Sequence, residues 1–114
     1  MFKNKPYLVA EISANHCGNF QLAKKLVSCA KKNGANAVKL QTYTADTMTI
    51  KSKKKYFKIK HGLWKDYDLW KLYNKAQTPL KWHKKLFYYG KKIGITIFST
   101  PFDESAVDFL EKLK

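Results

Sequence analysis

The chain has 114 residues, enough for one small domain with a modest core. Hydrophobic residues make up 45% of it and aromatic residues 15%, which excludes an intrinsically disordered protein. No apolar run is long enough to span a bilayer, and the N-terminus lacks the apolar segment of a signal peptide. The sequence therefore predicts a cytoplasmic protein without a membrane partner, in which Cys17 and Cys29 are buried or free thiols and do not form a disulfide.

The net charge of +15 comes from 23 basic and 8 acidic residues, and every basic residue is a lysine. Arginine is the preferred side chain for bidentate contacts to phosphate and guanine, so its absence argues against nucleic acid as the partner. A lysine-rich solvated surface is the simpler interpretation. The alternative is a non-enzymatic lysine-rich binding module, which should gather its lysines on one face and bind in a salt-sensitive way.

The first predicted unit is a buried strand, Tyr7–Ile12, followed by a loop and the helix Phe20–Asn33. Asn19 directly precedes the helix and is its predicted N-cap, because its side chain can accept from free backbone N–H groups. Gly34 directly follows the helix, where a left-handed residue is common.

The second predicted unit begins with the strand Ala37–Thr42 and continues through a long segment, Tyr43–Gln77. Within that segment the lysine run Lys51–Lys55 is predicted to be a solvated loop. The stretch Tyr67–Ala76 has one apolar side at helical spacing and is predicted to be a short helix. The helix Leu80–Lys92 completes the unit.

The third predicted unit is the strand Ile95–Ser99 and the helix Glu104–Lys112. Residues typical of helix ends mark both later helices: Thr78 with Pro79 and Gly94 for the one, and Asp103 or Ser105 for the other.

Three βα units with short apolar strands indicate an α/β fold with a parallel sheet. Two architectures fit this order: a doubly wound sheet and the first three units of a (β/α)8 barrel. A whole barrel takes about 250 residues, so a barrel would be incomplete in this chain. A complete small domain of flavodoxin type is a further alternative, but the sequence has no recognisable cofactor loop.

Polar side chains follow the end of each predicted strand. In both architectures ligands bind beyond the carboxyl ends of the strands, so these side chains should share one rim. The candidates are Glu11, Ser13, Asn15 and His16 after the first strand, Lys39, Gln41 and Thr42 in the second, and Ser99, Thr100 and Asp103 after the third.

Lys39 is the most informative of these residues because it interrupts a strand suited to burial. Alternation places Lys39 and Gln41 on one side of the strand, with Val38 and Leu40 on the other. A buried ammonium group is costly unless an anion meets it. Two anionic partners are possible for the Lys39 ammonium group. One is the Glu11 carboxylate, in an ion pair that only fills the interior, and the other is a bound anionic ligand.

His16 has a simple interpretation as a hydrogen-bonding spacer in the loop. No second histidine or cysteine lies at the spacing of a metal site, so none is predicted within this chain. The stretch "STPFD" places hydroxyls before a capped helix, an arrangement that suits phosphate oxygens but is weak evidence by itself.

The stretches "AEISANHCGN", "AVKLQTYTADT" and "IFSTPFDESAVDFL" resemble the N-terminal part of the sialic acid synthase family. Its members are phosphoenolpyruvate-dependent synthases of nonulosonic acids. The stretch Gly62–Phe87 is similar to the pseudaminic acid synthase branch. The resemblance extends from Pro6 to Lys114.

The resemblance implies a (β/α)8 barrel followed by a small antifreeze-like domain. Residues 1–114 would then form the N-terminal part of the barrel domain, and the antifreeze-like domain would be absent. The implied reaction joins the enol carbon of phosphoenolpyruvate to the aldehyde of an open-chain N-acetylated amino sugar. Water then adds and phosphate leaves, giving a nine-carbon sugar acid. A divalent metal, Mn or Mg, and a homodimer are expected for the complete enzyme.

The resemblance also implies roles for individual residues. Glu11 matches a glutamate that contacts sugar hydroxyls, and Lys39 matches a lysine that holds the phosphoenolpyruvate anion. The remaining predicted substrate-binding residues line or support the same pocket: Asn15, His16, Gln41, Ser99 and Thr100.

Several parts of the family's site have no counterpart in the chain. The second phosphate-binding lysine, the metal-binding histidines and a sugar-binding arginine of the antifreeze-like domain all lie later in the family's sequences. No catalytic residue is therefore assigned here with certainty, and the chain alone is expected to be inactive. A gene remnant is the other alternative.

Overall fold

The computed structural model describes residues 5–113 and contains one sheet of three parallel strands in the order β1-β2-β3. The elements in chain order are β1 Val9–Glu11, α1 Phe20–Lys32, β2 Ala37–Thr42, α2 Ala45–Met48, α3 Leu69–Ala76, α4 Leu80–Ile93, β3 Thr96–Pro101 and α5 Glu104–Glu111. A single 3-10 turn, Lys55–Phe57, lies in the long segment after β2.

Local side-chain chemistry sets most helix ends where the sequence predicts them. The Asn19 side chain accepts from the backbone N–H of the third residue of α1 at 3.0 Å, and Asp103 caps α5 in the same way at 3.2 Å. Ser105, the alternative cap, instead donates its hydroxyl to Asp103. Gly34 and Gly94 adopt φ values of 85° and 74°, which glycine reaches without steric cost.

Two local predictions in the second unit are wrong or incomplete. Thr78 is not the N-cap of α4, because Pro79 occupies that position and no side chain caps the helix. The Thr78 hydroxyl is instead bonded to His16. The short helix α2 was not predicted. It begins with a capping box in which Thr44 and Thr47 satisfy each other's backbone N–H groups.

The core lies between one face of the sheet and the helices. Val38 and Leu40 of β2 pack with Val27 of α1 and Leu86 of α4, and all four side chains are almost fully buried. Helix α4 approaches β3 closely at Gly90, where an added Cβ would lie 2.6 Å from the side chain of Ile97. A glycine is therefore required for this contact.

The helices bear on the choice between the two architectures. Helices α1 and α4 cover the face of β2 that carries Val38 and Leu40, and Phe109 of α5 contacts His83 of α4 on that side. The alternate face of β2 remains partly exposed. One covered face and sequential strand order are features of a (β/α)8 barrel, whereas a doubly wound sheet carries helices on both faces.

The prediction of a buried first strand is wrong. Strand β1 has only three residues, and the side chains of Tyr7, Leu8 and Val9 are 65%, 52% and 44% exposed. The reason is that β1 is an outer strand, and no strand among residues 5–113 pairs with its free edge. Among these residues, no helix has the length and apolar character needed to cross a membrane.

Candidate active site at the carboxyl ends of the strands

Glu11 and Lys39 form an ion pair on one face of the sheet, where Glu11 ends β1 and Lys39 lies midway along β2. They are register partners on β1 and β2, and Lys39 Nζ lies 2.8 Å from Glu11 Oε2. The second carboxylate oxygen accepts from the backbone N–H of Ser13 at 3.0 Å. The side chains are 36% and 37% exposed, so the expectation of a buried Lys39 is wrong. Its face of the sheet is the one without helices.

Gln41 and Thr100 extend the same face toward the rim. They are register partners on β2 and β3, and alternation places Gln41 on the same side as Lys39. The Ser13 hydroxyl donates to Gln41 Oε1 at 3.2 Å, which joins the loop after β1 to the end of β2. The structure thus brings together four predicted site residues, which we call the rim cluster: Glu11, Lys39, Gln41 and Thr100.

The loop after β1 is tight. Ser13 and Cys17 adopt left-handed φ values of 47° and 49°, which non-glycine residues rarely adopt. Backbone bonds from Asn15 to Ile12 and from Cys17 to Ala14 close two successive turns. The loop thereby places both polar groups of Ser13 on the rim cluster, while Asn15 is exposed.

His16 is fully buried and lies away from the rim cluster. The backbone N–H of Gly18 donates to its Nδ1 at 3.1 Å, so the ring proton is on Nε2, which donates to the Thr78 hydroxyl at 3.3 Å. Its ring meets Trp82 edge-on at 5.3 Å. Burial lowers the pKa of His16 below its usual value, which favours the neutral ring. These contacts fit the spacer interpretation.

Ser99 also lies outside the rim cluster. It is the register partner of Leu40, so it faces the helices, and its Oγ lies 2.6 Å from Thr42 Oγ1. Thr42 Oγ1 lies 2.8 Å from Nε2 of the buried His83. The strand pattern contained this signal, because Thr42 and Ser99 alternate with the rim residues. His83 shares the buried side of α4 with Leu86.

The described residues offer no evident metal centre. Among residues 5–113, no group of three or more histidine, cysteine or acidic side chains could hold a metal ion. The carboxylate of the rim cluster, Glu11, is paired with Lys39, and that of Asp103 caps α5. The divalent metal expected for the complete enzyme therefore finds no donor set here and stays a prediction.

One wide cleft lies far from this chemistry. Its volume is about 720 Å³, and it opens at the amino ends of β2 and β3, beside Asn36 and Thr96. Its other lining residues are mainly apolar or lysine side chains of α4 and β3. This cleft therefore lies at the opposite end of the sheet from the rim cluster.

Comparison with known proteins identifies the family. Residues 26–114 match the NeuB family. Over 108 residues the chain is 45% identical to the pseudaminic acid synthase of Campylobacter jejuni and 47% identical to that of Helicobacter pylori. Each match includes 95% of this chain and 32% of the relative, so the chain spans about a third of the length of these relatives.

A solved structure supports the same assignment. The N-acetylneuraminic acid synthetase of Leptospira borgpetersenii, solved in complex with citrate, superposes with a TM-score of 0.76 at 25% identity. The match covers 96% of this chain and 34% of that one. It confirms the α/β class, and the parallel three-stranded sheet is consistent with an incomplete (β/α)8 barrel. The chain therefore belongs to the NeuB family.

Proposed function

We propose that this chain forms the first three βα units of the barrel domain of a pseudaminic- or sialic-acid-type synthase. The complete enzyme would condense phosphoenolpyruvate with an N-acetylated amino sugar, releasing phosphate and a nine-carbon sugar acid. The similarity to two pseudaminic acid synthases supports the sugar acid class. The observation that carries the proposal is the Glu11–Lys39 ion pair, in which the last residue of β1 meets its register partner on the neighbouring strand β2.

Lys39 is suited to hold an anion at the rim. Its ammonium group has three N–H donors, and the structure uses one on Glu11. A partly exposed ion pair is worth about 0–1 kcal/mol, so a multiply charged ligand can share or replace it at low cost. The phosphoenolpyruvate anion would bind here, and the amide of Gln41 and the hydroxyl of Thr100 would bond its oxygens.

Glu11 is suited to accept hydrogen bonds from sugar hydroxyls. Its carboxylate is fixed from two sides, by the Ser13 backbone N–H and by Lys39. Free lone pairs on both oxygens remain for a ligand, because a carboxylate has about four acceptor positions. Sugar and phosphoenolpyruvate would thus meet above neighbouring strands, with Glu11 and Lys39 between them.

The chain would supply only part of the site. The second phosphate-binding lysine, the metal-binding residues and the antifreeze-like domain are expected outside residues 1–114. The complete enzyme would be a cytoplasmic homodimer that uses Mn or Mg. The chain alone should therefore bind ligands weakly and not turn them over.

A chimera tests this proposal directly. The chain replaces its matching third in the Campylobacter jejuni synthase, and release of phosphate from phosphoenolpyruvate is measured with that enzyme's N-acetylated amino sugar present. We expect activity from the chimera and none from the chain alone. A folded chimera without activity, beside an active parent enzyme, would contradict the proposal.

A further inference from the structure

A chain of hydrogen bonds buried beneath the rim joins β3, β2 and α4. Ser99 Oγ lies 2.6 Å from Thr42 Oγ1, which in turn lies 2.8 Å from His83 Nε2. The other ring nitrogen, Nδ1, lies 3.3 Å from the carbonyl oxygen of Pro79. Thr42 and His83 are fully buried, so water does not compete for these bonds. We call this set the Ser99–Thr42–His83 relay.

The relay has one consistent direction. The Pro79 carbonyl can only accept, so His83 Nδ1 carries a proton. Burial lowers the pKa of His83, so the ring is neutral near pH 7 and its Nε2 is an acceptor. Thr42 must therefore donate to Nε2, and its oxygen accepts from the Ser99 hydroxyl. Every donor in the relay meets one acceptor.

The relay lies directly behind the rim cluster. Thr42 follows Gln41 on β2, and Ser99 precedes Thr100 on β3. Gln41 and Thr100 are register partners whose side chains point to the opposite face. Fixing Thr42 against Ser99 therefore fixes the two strand ends that present Gln41 and Thr100.

We propose that Ser99, Thr42 and His83 are positioning residues, and that their relay from α4 holds Gln41 and Thr100 in the geometry that the ligand requires. Ser99 then acts through the strand ends and does not itself contact substrate. The inference rests on the proposed function for the identity of the ligand, phosphoenolpyruvate. The geometry of the relay is independent of that identity.

Two substitutions at the centre of the relay separate hydrogen bonding from packing. Thr42→Val retains the branched shape but has no hydroxyl, whereas Thr42→Ser retains the hydroxyl and loses one methyl group. If the relay positions the rim, the valine variant is disturbed and the serine variant is close to wild type. If only packing matters, the order is reversed. Thr96→Val, at the exposed amino end of β3, is the matched control.

The readout is NMR of the whole chain. In Thr42→Val we expect the Nε2 signal of His83 to move, and the backbone amide signals of Gln41 and Thr100 to move with it. Thr42→Ser and Thr96→Val should leave all three near their wild-type positions. Ser99→Ala removes only the outer donor at a partly buried position and should move the Thr100 amide, which gives a second test if the valine variant unfolds.

Titration with phosphoenolpyruvate completes the experiment. Thr42→Val removes both hydrogen bonds of the Thr42 hydroxyl, to His83 and to Ser99, and is expected to weaken binding by about fivefold. In one outcome, the wild-type chain shows no binding, while the Gln41 and Thr100 amide signals move in Thr42→Val and not in Thr42→Ser. That result would contradict phosphoenolpyruvate as the ligand and would support the positioning role of the relay. Unmoved rim amides, a serine variant more disturbed than the valine variant, or unchanged affinity in Thr42→Val would overturn the positioning role.

Discussion

The two faces of the sheet differ in what covers them. The covered face carries Val38 and Leu40, which are 0% and 1% exposed against α1 and α4. The open face carries Lys39 and Gln41, which remain partly exposed. Because side chains alternate along a strand, a single six-residue strand contributes residues both to the core and to the rim cluster. Under the proposed function, folding and ligand binding would depend on different residues of the same strand.

The largest expected effect is a loss of stability on the covered face. Leu86→Ala removes a fully buried side chain and should lower the free energy of unfolding by about 2–5 kcal/mol, because it leaves a cavity. Phe98→Ala is the control on the open face. That ring is 40% exposed, so the cost should be about 1 kcal/mol. Urea denaturation followed by circular dichroism measures both.

If Phe98→Ala lowered the free energy of unfolding as much as Leu86→Ala, the proposed difference between the two faces would be contradicted. Such a result would mean that the open face is packed in solution. A second copy of the chain would be one cause, and the dependence of the urea midpoint on protein concentration would reveal it.

A smaller effect is expected from acid. Burial lowers the pKa of both His16 and His83 below the usual 6.5. Just below that pH, the two histidines therefore bind more protons in the unfolded chain than in the folded chain. Their contribution to stability is complete above about pH 6.5 and is lost as the pH falls through that value and below it. The urea midpoint should therefore be lower at about pH 5.5 than at about pH 7.5.

Histidine variants test whether the pH dependence of the urea midpoint comes from the two buried rings. His16→Gln should make it shallower, because one of the two buried rings is removed. His61→Ala, at an exposed position outside both buried contacts, is the matched control. A midpoint that stays constant or rises on acidification would show that neither buried ring is held neutral.

The smallest effect is expected from the ion pair itself. Glu11→Gln keeps the shape of the side chain and removes its charge. The pair is more than a third exposed, so the free energy of unfolding should change by less than about 1 kcal/mol in urea denaturation. A loss of several kcal/mol would favour the alternative in which the pair serves only to fill the interior of the fold.

Much of the fold could be predicted because local chemistry determines it. Strand β2 runs over the predicted residues, and the Asn19 and Asp103 caps lie where expected. The four-residue helix α2 is too short to show a helical period, so it could not be found by periodicity. The exposure of β1 depends on which strands pair with it, and no local pattern contains that information.

The sequence predicts which strand ends carry the candidate residues, but it does not reveal for every residue which way the side chain points. Strand ends located all the candidates, because parallel strands bring their carboxyl ends to one edge. His16 and Ser99 nevertheless turn away from Lys39. For Ser99 the alternation along β3 indicates the direction, whereas for His16 the turn of the loop decides and the sequence does not reveal it.

The central claim is that the open face holds the phosphoenolpyruvate half of a synthase site through Lys39. The most direct measurement is the KM for phosphoenolpyruvate of the chimeric synthase carrying Lys39→Met, beside the matched variant Lys25→Met on the exposed side of α1. A lost charged hydrogen bond predicts a rise in KM of roughly 10- to 100-fold for Lys39→Met and no change for Lys25→Met. An unchanged KM in the Lys39 variant would contradict the account.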